Sequence, residues 1–224
     1  MKTKPLKKLS RAAVVDAIRE AILGGDLVPG QRLVEADIGD SLSASRGTVR
    51  SAFMDLVHEG LVEHIANRGA RVRVVSLEEA LQIAEVRLAV ESLCVARAAE
   101  KISDADIKGL RELAKQMKVR AASGDAVGFA DLTHRAFETY VRIADQPVAA
   151  EILGRLRARN VRHRFRLTYR TDRARVALPY WLDIIDAICR RDPDAARIAL
   201  QSHSQNVQEA MKALDTVRTP FAPS

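Results

Sequence analysis

Apolar positions along the chain change their spacing at about residue 75. Before it the pattern alternates between periods. Val14, Ile18, Ala21 and Ile22 recur at helical spacing behind Ser10, a good capping residue, and predict a helix to about Leu23. "GGDLVPGQRL" breaks that helix and leads into a short strand. A brief helix follows over 34–42, then an "SAS" turn. Ser45 is placed to cap a third helix from Arg46 to about Glu59, which Gly60 ends. "LVEHI" and "ARVRVV" alternate as strands do, and "ANRG" between them predicts a hairpin. Beyond Ser76 the period is helical throughout. Ser76 with Glu79 forms a capping box. Six helices are predicted, over 78–99, 104–122, 125–144, 148–170, 173–190 and 193–214, with breaks at "KISDAD", "ASGD", "ADQP", "RTD" and "RRDPD". The closing "DTVRTPFAPS" reads as a frayed tail.

These elements predict a mostly α protein. Residues 1–75 form a winged helix-turn-helix, 76–215 an antiparallel six-helix bundle, and 216–224 a flexible tail. Composition agrees: 47% of residues are hydrophobic but only 4% aromatic, a profile of helical proteins. No apolar run reaches the roughly 18 residues that a membrane span needs. The basic start "MKTKPLKKLSR" is followed by no apolar core, so it does not read as a signal peptide, and a cytoplasmic location is expected. Cys94 and Cys189 read as reduced, buried thiols. No Gly-rich phosphate loop, nucleophile elbow or usefully spaced carboxylate pair is present, which argues against an enzyme.

The net charge of +7 suggests a polyanion partner. The pattern seats that partner on the third helix. At about 100° per residue, Val49, Ala52, Phe53 and Leu56 point inward. Gly47, Thr48 and Ser51 point outward, with Arg46 and Arg50 at the edge. A helix end that is small, polar and cationic suits a DNA major groove: nothing bulky obstructs it, arginine forks onto guanine or phosphate, and hydroxyls meet phosphate oxygens. The wing tip, Asn67, Arg68 and Gly69, can reach a neighbouring groove, and Lys2, Lys4, Lys7 and Lys8 can add phosphate contacts.

The stretch "LVPGQRLVEADIGDSLSASRGTVRSAFMDLVHEGLVEHIANRGARVR" resembles the DNA-binding domain of the GntR family of bacterial transcription regulators. That family runs from a Pro-Gly turn through Ser-Arg-Thr-Pro-x-Arg to Glu-Gly-Leu and an Arg-Gly wing. Here the middle is Ser45-Arg46-Gly47-Thr48-Val49-Arg50, and the usual Leu-Ala of the preceding helix is Ile38-Gly39. The resemblance implies Ser45, Arg46, Thr48, Arg50 and the Arg68-Gly69 wing as DNA contacts. Arg32, Gly47 and Asn67 complete the candidate set. It also implies a homodimer reading a near-palindromic operator on double-stranded DNA, most often as a repressor.

The remainder, through "VRLAVESLCVARAA", "DQPVAAEIL" and "IIDAICRRDPDAARIALQSH", resembles the all-helical effector (FCD) domain of the FadR-type branch, with six helices placing it near the VanR-like subgroup. Such domains hold a small carboxylate, often through a divalent metal bound by one Asp and three His. The last family His is His203, but the preceding one falls on Trp181. The Asp-x-x-x-His pair falls on Thr133 and Phe137, or after a one-residue shift on His134 and Glu138. No metal is therefore required. His134, Glu138, His163 and His203 are the residues that could form an altered Zn or Ni site.

The inward positions themselves suggest an effector pocket. His134 shares a stripe with Ala130, Phe137 and Val141, and His203 with Ala196, Leu200, Val207 and Met211. On the helix expected over 148–170, Asn160 and His163 share the inner face with Leu153, Leu156 and Leu167. Its many arginines line the edges, where the ordinary outcome is solvation. Arg159 and Arg170 are the two placed to turn inward. Arg87 matches an arginine of the family's first effector helix that faces the ligand. Trp181 offers a flat wall. The expected effector is a small anion, a carboxylate that can carry an aromatic ring, contacted by Arg87, His134, Phe137, Asn160, His163, Arg170, Trp181 and His203. A DNA-binding protein whose helical domain only dimerises is the alternative, and an enzyme acting on a small acid the more distant one.

Overall fold

A computed structural model of the 224-residue chain describes residues 9–65, 69–160, 167–168 and 172–216. Contacts divide the chain into two units. One runs through Val75 and takes in a short stretch from Arg157 to Arg162; the other comprises Ser76–Leu156 and the chain from His163.

In the first unit α1 (Arg11–Gly24) starts at Ser10, whose hydroxyl accepts the Ala13 amide. It ends at Gly25, in the left-handed region at φ 90°. The Val28–Gln31 turn closes with Gln31 N–H on the Val28 carbonyl at 2.9 Å, and Gly30 supplies the positive φ that the turn needs. β1 (Arg32–Leu33), α2 (Glu35–Ser41) and α3 (Arg46–His58) follow. β2 (Val62–Ile65) and β3 (Gly69–Val72) pair antiparallel, with Val62 opposite Val72 and Ile65 opposite Gly69. β1 adds to the other edge of β3, giving the order β1-β3-β2. The core is Val14, Ile18, Ile22, Val49, Phe53, Leu56, Val62 and their neighbours. Burying side chains of this size contributes about 1.5–3 kcal/mol each. Arg19 on α1 forks onto the Glu59 carboxylate at 2.6 and 2.9 Å, and Arg11 pairs with Asp55, so α1 and α3 are also joined by charge.

The second unit is a bundle of six helices among the described residues: α4 (Leu77–Lys101), α5 (Asp104–Ser123), α6 (Ala126–Ala144), α7 (Pro147–Arg159), α8 (Arg173–Cys189) and α9 (Pro193–Thr216). Ser76, Ser103 and Asp125 cap α4, α5 and α6 by accepting amides three residues on. α4 packs against α6, α8 and α9, and α5 against α6 and α8. Cys94 and Cys189 are both buried free thiols within this core, and burial pushes the Cys94 thiol up to about 11.

Two expected helix ends can be compared. Of the helix expected over 148–170, α7 is described to Arg159, Asn160 N–H turns back to the Arg157 carbonyl at 3.3 Å, and Leu167 and Thr168 are helical; residues 161–166 and 169–170 lie outside the described residues. At the other end, Asp215 and Thr216, expected in the tail, complete α9.

Candidate DNA interface and effector site

Ser45 caps α3, the helix expected to read DNA. Its hydroxyl accepts the Thr48 amide at 3.1 Å and lies 2.8 Å from the Thr48 hydroxyl, so each satisfies the other at the N-terminus of α3. Ser45, Arg46, Gly47 and Arg50 are exposed, while Val49 behind them is fully buried. The outward face is thus small and cationic because the inward one is committed to the core. Arg50 donates from Nε and Nη2 to the two Glu35 oxygens at 2.7 and 2.8 Å. Those bonds, with the nearby Arg46 charge, hold the Glu35 carboxyl below its usual range. Met54, one turn beyond Arg50, is 47% exposed and was not singled out by the sequence reading; its place on the outward stripe is the signal that could have found it. Arg32 is exposed on β1, and Gly69 opens β3 at φ 87°. Asn67 and Arg68, like Lys2, Lys4, Lys7 and Lys8, lie outside the described residues.

Within the helical unit four helices contribute to one polar cluster. Arg87 on α4 donates from Nη2 to Glu91 at 2.8 Å, one turn on. Glu91 is only 5% exposed, and the Tyr140 hydroxyl of α6 donates to its other oxygen. Burial next to that carboxylate pushes the Tyr140 hydroxyl well up, so it stays protonated and donating. The Arg87 guanidinium also lies 5.8 Å from the centre of the Phe137 ring, a cation–π distance. His134 stacks beside Phe137 with ring centres 6.4 Å apart, and its Nε2 is 3.4 Å from Glu138.

On the opposite pair of helices Trp181 of α8 meets His203 of α9 edge-on, ring centres 4.9 Å apart. Arg173 at the start of α8 donates to Asn206 of α9 at 2.7 Å. Burial, with the Arg173 and Arg87 charges close by, pushes the His203 imidazole down to about 3. It is therefore neutral, with one nitrogen free to accept and one to donate.

Arg87, Phe137, Trp181 and His203 thus share this cluster, with His134 at its α6 edge. Asn160 is buried at 9% exposure, in the short stretch grouped with the N-terminal unit. His163 and Arg170 lie outside the described residues. Glu91, Tyr140, Arg173 and Asn206 were missed. Glu91 was legible: it occupies a core position among Ala84, Cys94 and Val95, and an acid there needs a partner. Arg173 could not be separated by pattern from the other arginines around it.

Of the four donors considered for a metal, His163 lies outside the described residues. Among the described residues no three His, Cys, Asp or Glu side chains are grouped to hold an ion. His134 and Glu138 share one helix, and His203 faces Trp181 with two guanidinium charges nearby, which oppose a cation. Two surface clefts lie elsewhere, on the α5–α6 face around Glu112, Gln116 and Arg135. They are open and carry mixed charge, whereas the Arg87–His203 cluster combines buried charge with a neutral imidazole.

Comparison with known proteins bears on both units. Residues 10–72 match the bacterial regulatory proteins of the gntR family, and residues 82–206 match the FCD domain. The chain is 26% identical over 197 residues to the HTH-type transcriptional repressor RspR of Escherichia coli K12, covering 88% of this chain and 86% of that one. It is 28% identical over 211 residues to a probable D-xylose utilization operon transcriptional repressor of Paenarthrobacter nicotinovorans, covering 88% of each. Among solved structures, E. coli McbR/YncC shares the fold with a TM-score of 0.80 at 20% identity, over 92% of this chain and 98% of that one. A transcriptional regulator of Rhodococcus sp. RHA1 matches at 0.74 and 25% identity, over 93% and 99%. With a helix-turn-helix unit before an all-helical one and both family matches in that order, this chain belongs to the GntR family of transcription regulators, with a C-terminal FCD domain.

Proposed function

We propose that the protein represses transcription as a homodimer on a near-palindromic operator, and that a small anionic metabolite bound in the helical unit controls its affinity for DNA. The operator contacts are Arg32, Ser45, Arg46, Gly47, Thr48, Arg50 and the wing of Asn67, Arg68 and Gly69. The observation that carries the effector reading is the approach of two guanidinium groups, Arg87 and Arg173, to the neutral, largely enclosed His203 beside Trp181. Planar guanidinium groups hold a carboxylate by paired hydrogen bonds, and a neutral imidazole adds a donor without a competing proton equilibrium. Trp181 and Phe137 supply flat apolar walls for the remainder of the ligand. Repression is relieved when the ligand prefers the form of the dimer that fits DNA poorly.

A thermal-unfolding screen of mono-, di- and tricarboxylates and aromatic acids tests this, run with and without chelator and paired with operator-binding assays. A true effector at about 100 times its Kd adds roughly 2.7 kcal/mol to the helical unit and shifts operator affinity. Stabilisation is expected to survive chelation. A panel that moves neither stability nor operator affinity would leave the helical unit as a dimerisation device.

A further inference from the structure

Glu91 is a buried carboxylate placed inside a site that otherwise attracts carboxylates. It is held at both oxygens, by Arg87 at 2.8 Å and by the Tyr140 hydroxyl, and is 5% exposed. Turning it away would strand both the acid and the Tyr140 hydroxyl without partners in an apolar core. Glu91 is therefore a fixed part of the site and not a side chain that yields its place to a ligand. It neutralises part of Arg87 permanently.

What remains available is specific. Arg87 Nε is buried and has no hydrogen-bond partner among the described residues. A buried N–H of this kind calls for an acceptor. Across the cluster stand Arg173, anchored on Asn206, and the neutral His203. Arg87 and Arg173 both bring positive charge to the cluster, and Glu91 is paired with Arg87 at 2.8 Å.

We propose that Glu91 sets the charge of the effector: the site accepts a ligand through a single carboxylate, received by Arg87 Nε and Arg173, and discriminates against a second carboxylate on the same molecule. The inference rests on the reading of the cluster as an anion site. A second ligand carboxylate would enter a low-dielectric site and face the fixed carboxylate of Glu91. The ligand class is thus a monocarboxylate whose remainder is uncharged and packs against Trp181 or Phe137.

Probe pairs of equal shape and unequal charge test it: succinamate against succinate, and phthalamate against phthalate. Binding to the full-length protein is followed by calorimetry and by the fluorescence of Trp181, the chain's one tryptophan. Wild type is expected to bind the mono-anion of a pair about tenfold more tightly than the di-anion. Glu91→Gln keeps the shape and an acceptor for Tyr140 but removes the charge, and should move that ratio at least tenfold toward the di-anion. Arg173→Gln should move it the opposite way while weakening both, which provides the reading if Glu91→Gln does not fold. A ratio unchanged by either variant, with both probes bound, overturns the role of Glu91 but leaves the anion site standing. Failure of all four probes to bind, with operator binding intact, overturns the anion site and this inference with it.

Discussion

Arg50 and Glu35 face each other as a fork on a carboxylate, at 2.7 and 2.8 Å, on the outward side of α2 and α3. The pair sits where DNA is proposed to bind, so Glu35 both aims Arg50 and lends the surface a negative charge. Glu35→Gln should leave Arg50 unaimed and remove that repulsion. We expect non-specific DNA binding to strengthen and operator preference to fall about fivefold to tenfold. Arg50→Ala should instead lower operator affinity by about tenfold or more. Fluorescence anisotropy with operator and scrambled duplexes at two salt concentrations separates the two outcomes. Unchanged operator affinity in Arg50→Ala would remove that residue from the interface.

Tyr140→Phe deletes one of the two donors to the buried Glu91 carboxylate. Leaving a buried charged acceptor short of a partner costs about 1–3 kcal/mol. Chemical denaturation of the helical unit should show a loss in that range. A loss near zero would mean that water reaches Glu91.

His203 makes the helical unit sensitive to mild acid. Its imidazole is near 6.5 in the unfolded chain and about 3 in the native one. Between those values the unfolded chain binds the extra proton, so stability falls as pH falls from about 6.5 toward 3 and is fully retained above. The slope approaches about 1.4 kcal/mol per pH unit. His203→Gln should flatten the limb between about pH 6.5 and 4.5, before carboxylates such as Asp106, held low by Ser103 and Arg142, begin to titrate. Thermal unfolding across that range checks it, and an equal slope in the variant would place the imidazole in contact with water.

Much of this was legible in residue order. Ser45 as the cap of α3, the inward Val49, Ala52, Phe53 and Leu56, and the antiparallel hairpin follow from local rules that tertiary contacts do not override. Helix ends after 147 were less legible: the turn bond from Asn160 to the Arg157 carbonyl is a break that periodicity does not announce. The proposed effector site was half visible. Arg87, Trp181 and His203 stood out as unusual residues on apolar stripes. Glu91 was legible as an acid in a core position, but its partner was not: Tyr140 lies 49 positions away, and sequence spacing carries no sign of it. Arg173 was hidden among arginines that share its charge and its periodicity.

Cys94 and Cys189 are the only cysteines in the chain, and both are sealed in the helical core with their thiols pushed up by burial. The exterior therefore offers no native handle to a maleimide at neutral pH. A single cysteine introduced at Ser51 on α3, or at Val119 on α5, would be the only site to take a dye, and the folded regulator could be tagged on one unit at a time without first stripping its own thiols.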